Sequence, residues 1–171
     1  MMKHRIRLAA AAGAVAAAGV IATTGVMAAA AAPHPARAAT SGTETFQIMT
    51  TSATAPTSSA IAFGVFTEPG TANGSRSSTK ITFPNGTVTV MHSRGQGQQS
   101  VNPQTCLVTI NAHGTFTVTA GTGAYSGIGG GGTYKLTVLG IAGRSGGKCS
   151  MSKPPVAWHQ VITATGSVSL P

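Results

Sequence analysis

The sequence predicts an all-β fold of about eight strands, a sandwich or a barrel, carrying one disulfide and following a cleaved signal peptide. Three observations predict it. After residue 38 no segment has helical periodicity; short runs rich in Thr, Val, Ile and Phe alternate instead with clusters of Gly, Pro, Asn and Ser. Within those runs apolar and polar residues alternate with period 2, as in strands that turn one face to a core. The stretch Ala120 to Leu139, AGTGAYSGIGGGGTYKLTVL, then joins two runs through a link built almost wholly of glycine. Such a link serves where backbone needs φ > 0 or passes close to other backbone.

Taken in order, the chain opens with Lys3, Arg5 and Arg7, a long Ala/Gly/Val run from Leu8 to Ala32, and the small-residue exit Ala36-Arg37-Ala38. That is the order of a secretory signal peptide, a basic region, an apolar region and an A-x-A cleavage site. The expected organisation is therefore a signal peptide over residues 1–38 and a β domain over 39–171, secreted and with no membrane span after processing. A retained anchor is disfavoured by the alanine-rich composition and the A-x-A that follows it. Processing leaves Arg76, Lys80, Arg94, Lys135, Arg144, Lys148 and Lys153 against Glu44 and Glu68. These charges are scattered, without an aromatic-interleaved basic stripe, so nucleic acid is not an expected partner.

The two cysteines, Cys106 and Cys149, both fall in the exported part, where a disulfide is the natural state. It would close a loop of about 44 residues, worth roughly 4 kcal/mol in the chain-entropy description. The strands expected are Glu44 to Thr51, Ser59 to Thr67, Ser77 to Phe83, Thr87 to Ser93, Thr105 to Ala112, Thr115 to Thr119, Thr133 to Ile141, Val156 to Thr163 and a short Gly166 to Leu170. Phe83-Pro84-Asn85-Gly86-Thr87 is a hairpin turn, and Asn73-Gly74-Ser75 reads as a second. Arg94 to Gln104 and Ala142 to Pro155 carry few order signals and read as rim loops.

Alternation assigns the faces. Val88, Val90 and His92 oppose Thr87, Thr89 and Met91. Cys106, Val108, Ile110, Ala112, Phe116 and Val118 oppose the set Leu107, Thr109, Asn111, His113, Thr115 and Thr117. Tyr134, Leu136 and Val138 oppose Lys135, Thr137 and Leu139. The apolar sets are expected inside and the threonines in water.

The glycine link carries a family resemblance. Gly121-Thr122-Gly123-Ala124-Tyr125-Ser126-Gly127, followed by Gly130 and Gly132 and then by a strand, resembles the G-T-G-x-[YF]-x-G-x-x-G-x-G connection of the allene oxide cyclase and dirigent barrel superfamily. The likeness also fits secreted actinobacterial members of that superfamily. It implies that the domain over 39–171 is a single antiparallel β-barrel of about eight strands, in which this stretch joins neighbouring strands with its aromatic, Tyr125, packed underneath, and in which Gly121, Gly123 and Gly127 are structural. By analogy it implies an interior that holds a small hydrophobic molecule and directs its cyclisation or isomerisation. The motif brings no catalytic residues with it. A dinucleotide loop is the competing reading of the same glycines, but Gly129 to Gly132 lead into a β-rich run and not into the helix such a loop requires.

The chemistry the residues themselves allow is narrow. There is no aspartate after residue 38, no G-x-S-x-G elbow, and only two glutamates for any paired-carboxylate hydrolysis. His92 shares the parity of Val88 and Val90, and Glu44 that of Phe46 and Ile48, so the two are the candidate catalytic acid and base. The bland reading makes His92 a satisfied strand-end residue and Glu44 a solvated one. Phe116, Tyr134 and Trp158 are the expected cavity-lining aromatics. His113 and His159 fall on the outward parity, so no metal site is expected, and no cofactor. The function expected is a secreted barrel holding a small hydrophobic ligand, with a non-catalytic structural or interaction protein as the alternative.

Overall fold

The computed structural model describes residues 39–171, and the signal-peptide assignment lies outside them. Eleven strands form: β1 (Thr40–Thr50), β2 (Ser58–Phe63), β3 (Glu68–Gly74), β4 (Ser78–Phe83), β5 (Gly86–His92), β6 (Gln96–Val101), β7 (Leu107–Gly123), β8 (Gly129–Ile141), β9 (Gly143–Ser145), β10 (Lys148–Ser150) and β11 (Ala157–Leu170). The main sheet runs β5-β4-β3-β2-β1-β11-β8-β7-β6, and β5 also pairs with β7. That pairing closes an eight-stranded antiparallel barrel, while β6 continues along the first half of β7 as a free edge.

The closure depends on the length of β7. Its second half pairs with β5 from Phe116 to Gly123, and its first half with β6 from Val108 to His113. The expected break at His113-Gly114 is absent, and one 17-residue strand replaces two. Ala164 and Thr165 likewise continue β11 where two strands were expected. Four further strands occupy segments read as turn or loop: β3 with the sequence EPGTANG, β6 with QGQQSV, and the short β9 and β10. None holds a β-branched inward residue that would announce it. Ladder bonds to their neighbours make them strands, tertiary context overriding weak propensity. The glycine link is shorter than expected, because Gly129 to Gly132 are strand, paired with β11 along their length and with β7 from Gly130 on.

The inward set fills the lower barrel. Phe46, Ile81, Phe83, Val88, Phe116, Val118, Tyr125, Ile128 and Val168 are all buried. Ala60, Ala62 and Ala72 line β2 and β3, and this small-residue wall leaves room for the large rings opposite. Past the barrel rim, β6 with the first half of β7, the second half of β8 and the start of β11 form an extension. There Cys106, Val108 and Ala142 make a small second core.

Cys106 and Cys149 are joined by a disulfide with a Cα separation of 5.3 Å. It ties the β9–β10 hairpin to the start of β7. Arg144 adds to the tie, donating to the carbonyls of Gln104 (2.6 Å) and Gly147 (3.1 Å). Replacing both cysteines by alanine is expected to lower the unfolding free energy by about 4 kcal/mol, measured by urea denaturation. An unchanged midpoint would contradict that assignment.

Candidate functional site

The inward residues of six strands leave a cavity of ≈ 140 Å³ in the upper half of the barrel. Phe46 and Ile48 come from β1, Ile162 and Ala164 from β11, Leu136 and Tyr134 from β8. Phe116, Val90, His92, Ile81 and Thr79 complete the wall. Apart from Thr79, His92 and Tyr134 the lining is hydrocarbon. The His92 and Tyr134 rings stand edge to face with centroids 6.0 Å apart, and the Tyr134 hydroxyl donates to the Ser93 carbonyl at 3.0 Å. Tyr134 crosses Gly114 so closely that a Cβ there would lie 2.6 Å from its ring, which is why position 114 carries no side chain.

Above the cavity lies a polar vestibule of ≈ 270 Å³ that shares Thr79, His92 and Ile162 with it. Thr50, Ser52, Ser58, Ser75 and Gln160 line this mouth. The loop between β1 and β2 shapes one side of it. A Ser52-centred turn, in which Ser52 Oγ accepts from Ala55 N at 3.1 Å, holds that loop together, and Asn73 ties it to β3 by donating to the Pro56 carbonyl at 3.1 Å.

The opposite end is closed by rings. Phe66 lies 4.7 Å from Tyr125, 5.4 Å from Phe83 and 6.2 Å from Phe46, centroid to centroid, and Phe46 stands 6.3 Å from Phe116. Tyr125 is delivered by the glycine link, where Gly123 (φ 61°) and Gly127 (φ 79°) take left-handed corners and Gly121 lies against the Tyr125 carbonyl. Phe66 is delivered by the β2–β3 loop, whose Phe66 N donates to Glu44 Oε2 at 3.0 Å.

Glu44 is fully buried and its Oε1 has no hydrogen-bond partner. Burial pushes its carboxyl above the usual carboxylate range, against the opposing pull of the Phe66 N–H and its neighbours. Glu68, by contrast, is held below that range by Asn85, whose Nδ2 donates to Glu68 Oε1 at 2.7 Å. The Tyr125 hydroxyl is pushed up by its own burial and by Glu68 beside it. All carboxylate side chains of residues 39–171 therefore sit at the closed end.

The structure does not bring Glu44 and His92 together. Both point inward, and both lie in one cross-strand row, Glu44–Gly166–Gly132–Phe116–His92. Barrel strands tilt, however, so four strand spacings of about 4.8 Å at roughly 40° separate the two in height by about 12 Å. His92 is left at the open mouth and Glu44 beneath the floor. Glu44 is neither the solvated residue of the bland reading nor a cavity residue. Of the expected aromatics, Phe116 and Tyr134 line the cavity. Trp158 does not: it points inward four residues beyond Ile162 on β11, in the rim extension, packed over Gly140 with its Nε1 buried and unpartnered. The remaining lining, Ile48, Ile81, Leu136, Ile162 and Ala164, follows from the same alternation that placed Val90.

The Glu44 environment makes stability depend on pH in a definite direction. A carboxyl with a raised folded pKa stabilises fully below its unfolded pKa, and that contribution is lost as pH rises through the folded value. The thermal midpoint of Glu44→Gln, which keeps an acceptor for Phe66 N, is expected to gain on the parent as pH is raised from about 4 to 7. A difference independent of pH would show that burial does not raise the Glu44 carboxyl above its unfolded value.

No family model, curated protein or solved structure matches the chain.

Proposed function

We propose that this is a barrel that holds one small hydrophobic molecule in its upper half. The observation that carries the reading is the apolar cavity of ≈ 140 Å³ beneath a polar mouth. Cavities of about 150 Å³ lined by aliphatic and aromatic side chains stay dry and take a benzene-sized guest. The ligand class is then a compact ring or short branched chain whose polar end reaches His92, Thr79 and the vestibule. The chemistry that suits such a site is cofactor-free cyclisation or isomerisation, in which the walls select one reactive conformer and His92 is the proton-exchanging group at the rim. Membership in the allene oxide cyclase and dirigent superfamily is part of the same proposal. It is supported by the eight-stranded closure and by Tyr125 packed under the barrel from the glycine link. The alternative is a non-catalytic structural or interaction protein with a filled interior.

Export is also part of the proposal, and the Cys106–Cys149 bond suits an oxidising compartment. Protein recovered from culture medium is expected to begin near Ala39, read by amino-terminal sequencing. A chain retaining Met1 in the cell fraction would contradict this.

The ligand proposal is tested by native mass spectrometry of the purified protein, followed by thermal shift with indole and other ring-sized apolar compounds. A bound mass lost on denaturation is expected, as is a midpoint rising with compound concentration, by about 2.7 kcal/mol of stabilisation at a hundredfold excess over Kd. Ala164→Phe, which projects a ring into the cavity, is expected to abolish the shift. No bound mass and no shift with any compound would favour the filled-barrel reading.

A further inference from the structure

A second concavity lies outside the barrel wall, where β5 gives way to β6. The chain leaves the ladder at Ser93 to Gly95, although Ser93 still donates N–H to the Thr115 carbonyl at 2.9 Å and accepts the Thr115 N–H on its Oγ at 2.9 Å. The step opens a cleft of ≈ 570 Å³. Two cationic side chains, Arg94 and Lys135, and the His113 imidazole line it. The hydroxyls of Ser93, Thr115 and Thr133 join them, beside Tyr134.

The pairing register puts these groups together. His113 and Lys135 are direct cross-strand partners on β7 and β8, and Gln96 of β6 pairs with His113 from the other side. Thr115 and Thr133 are partners in the adjacent row. The lining contains no carboxylate, and Glu44 and Glu68 are spent at the barrel floor. The Arg94 and Lys135 charges repel across the shared recess. Here a guanidinium, an ammonium and an imidazole share one recess without an acid among them, an arrangement that a bound oxyanion would relieve. Arg94 adds the planar fork that meets a carboxylate, sulfate or phosphate with two parallel bonds. The cleft is also far larger than a bare ion, and the hydroxyls together with the Gln96 amide suit a polyhydroxylated body.

We propose that this cleft binds an acidic saccharide, its phosphate, sulfate or carboxylate held between Arg94 and Lys135 and its ring hydroxyls set against Ser93, Thr115 and Thr133. The site is separate from the interior cavity and stands whether or not that cavity holds a ligand.

The test is an amide NMR titration of the folded, disulfide-bonded protein with glucose 6-phosphate, glucuronate, inorganic phosphate and glucose. Shifts confined to residues 93–96, 113–115 and 133–135 are expected with the two acidic sugars, with glucose moving nothing. Inorganic phosphate is expected to bind at least tenfold more weakly than glucose 6-phosphate. Lys135→Gln and Arg94→Gln, both at exposed positions, should each weaken the acidic sugars by roughly tenfold while leaving the other amide positions unchanged. Three results would overturn the proposal: no shifts with either acidic sugar, equal shifts with glucose, or unchanged affinity in both variants. Phosphate binding as tightly as glucose 6-phosphate would overturn the saccharide assignment and leave an oxyanion site only.

Discussion

Glu44 accepts the Phe66 N–H on one carboxylate oxygen while the whole residue is sealed from water, and that contact holds the β2–β3 loop under the barrel. The loop carries Phe66 into the gap between Phe46, Phe83 and Tyr125, where four edge-on or tilted ring contacts replace what would otherwise be an open end. A buried carboxylate is costly, which is why charged residues are seldom found fully inside without partners. Here the backbone N–H groups of the loop offset part of that cost. The result is a barrel with a floor, and only a barrel with a floor can have a cavity with a single mouth.

The same constraint divides the interior by chemistry. Below the Phe46–Phe116 pair the space is filled by aromatic rings together with Ile128 and Val168. Above it the residues are smaller or set back, with Ala164 on β11 and Val90 on β5, so the walls do not meet. Both glutamates serve the closed end, while Arg94 and Lys135 line the outer cleft and Arg144 braces the rim extension, so among the described residues the rim and outer wall carry cations away from the acids. An apolar pocket and an external cationic cleft thus share one wall, with Tyr134 lining both.

Much of this was legible in the sequence, and the parts that were not share a cause. Period-2 alternation placed His92, Phe116, Tyr134 and Trp158 on the inner face, and the Asn85-Gly86 turn and the cysteine pair were readable from local chemistry. Alternation says which face a residue takes, but not how high it sits. Strand tilt therefore parted Glu44 from His92 along a single row, and strand length carried Trp158 above the mouth. Strands β3 and β6 escaped notice because their order comes from the neighbours' hydrogen bonds and not from their own side chains. Gly114 looked like a turn because its real reason, the Tyr134 ring lying across it, is a contact twenty residues away in sequence.

The central claim is that the upper barrel is an apolar cavity closed below by the Glu44-anchored floor. Crystals of the protein stripped of any bound molecule, put under xenon pressure, test it most directly, since xenon enters dry hydrophobic cavities without needing any particular chemistry. The account predicts one strong xenon site bounded by Phe46, Ile81, Val90, Leu136 and Ile162, and none among the rings around Phe66 and Tyr125. Absence of xenon from the upper site, with side chains meeting on the axis there, would contradict it.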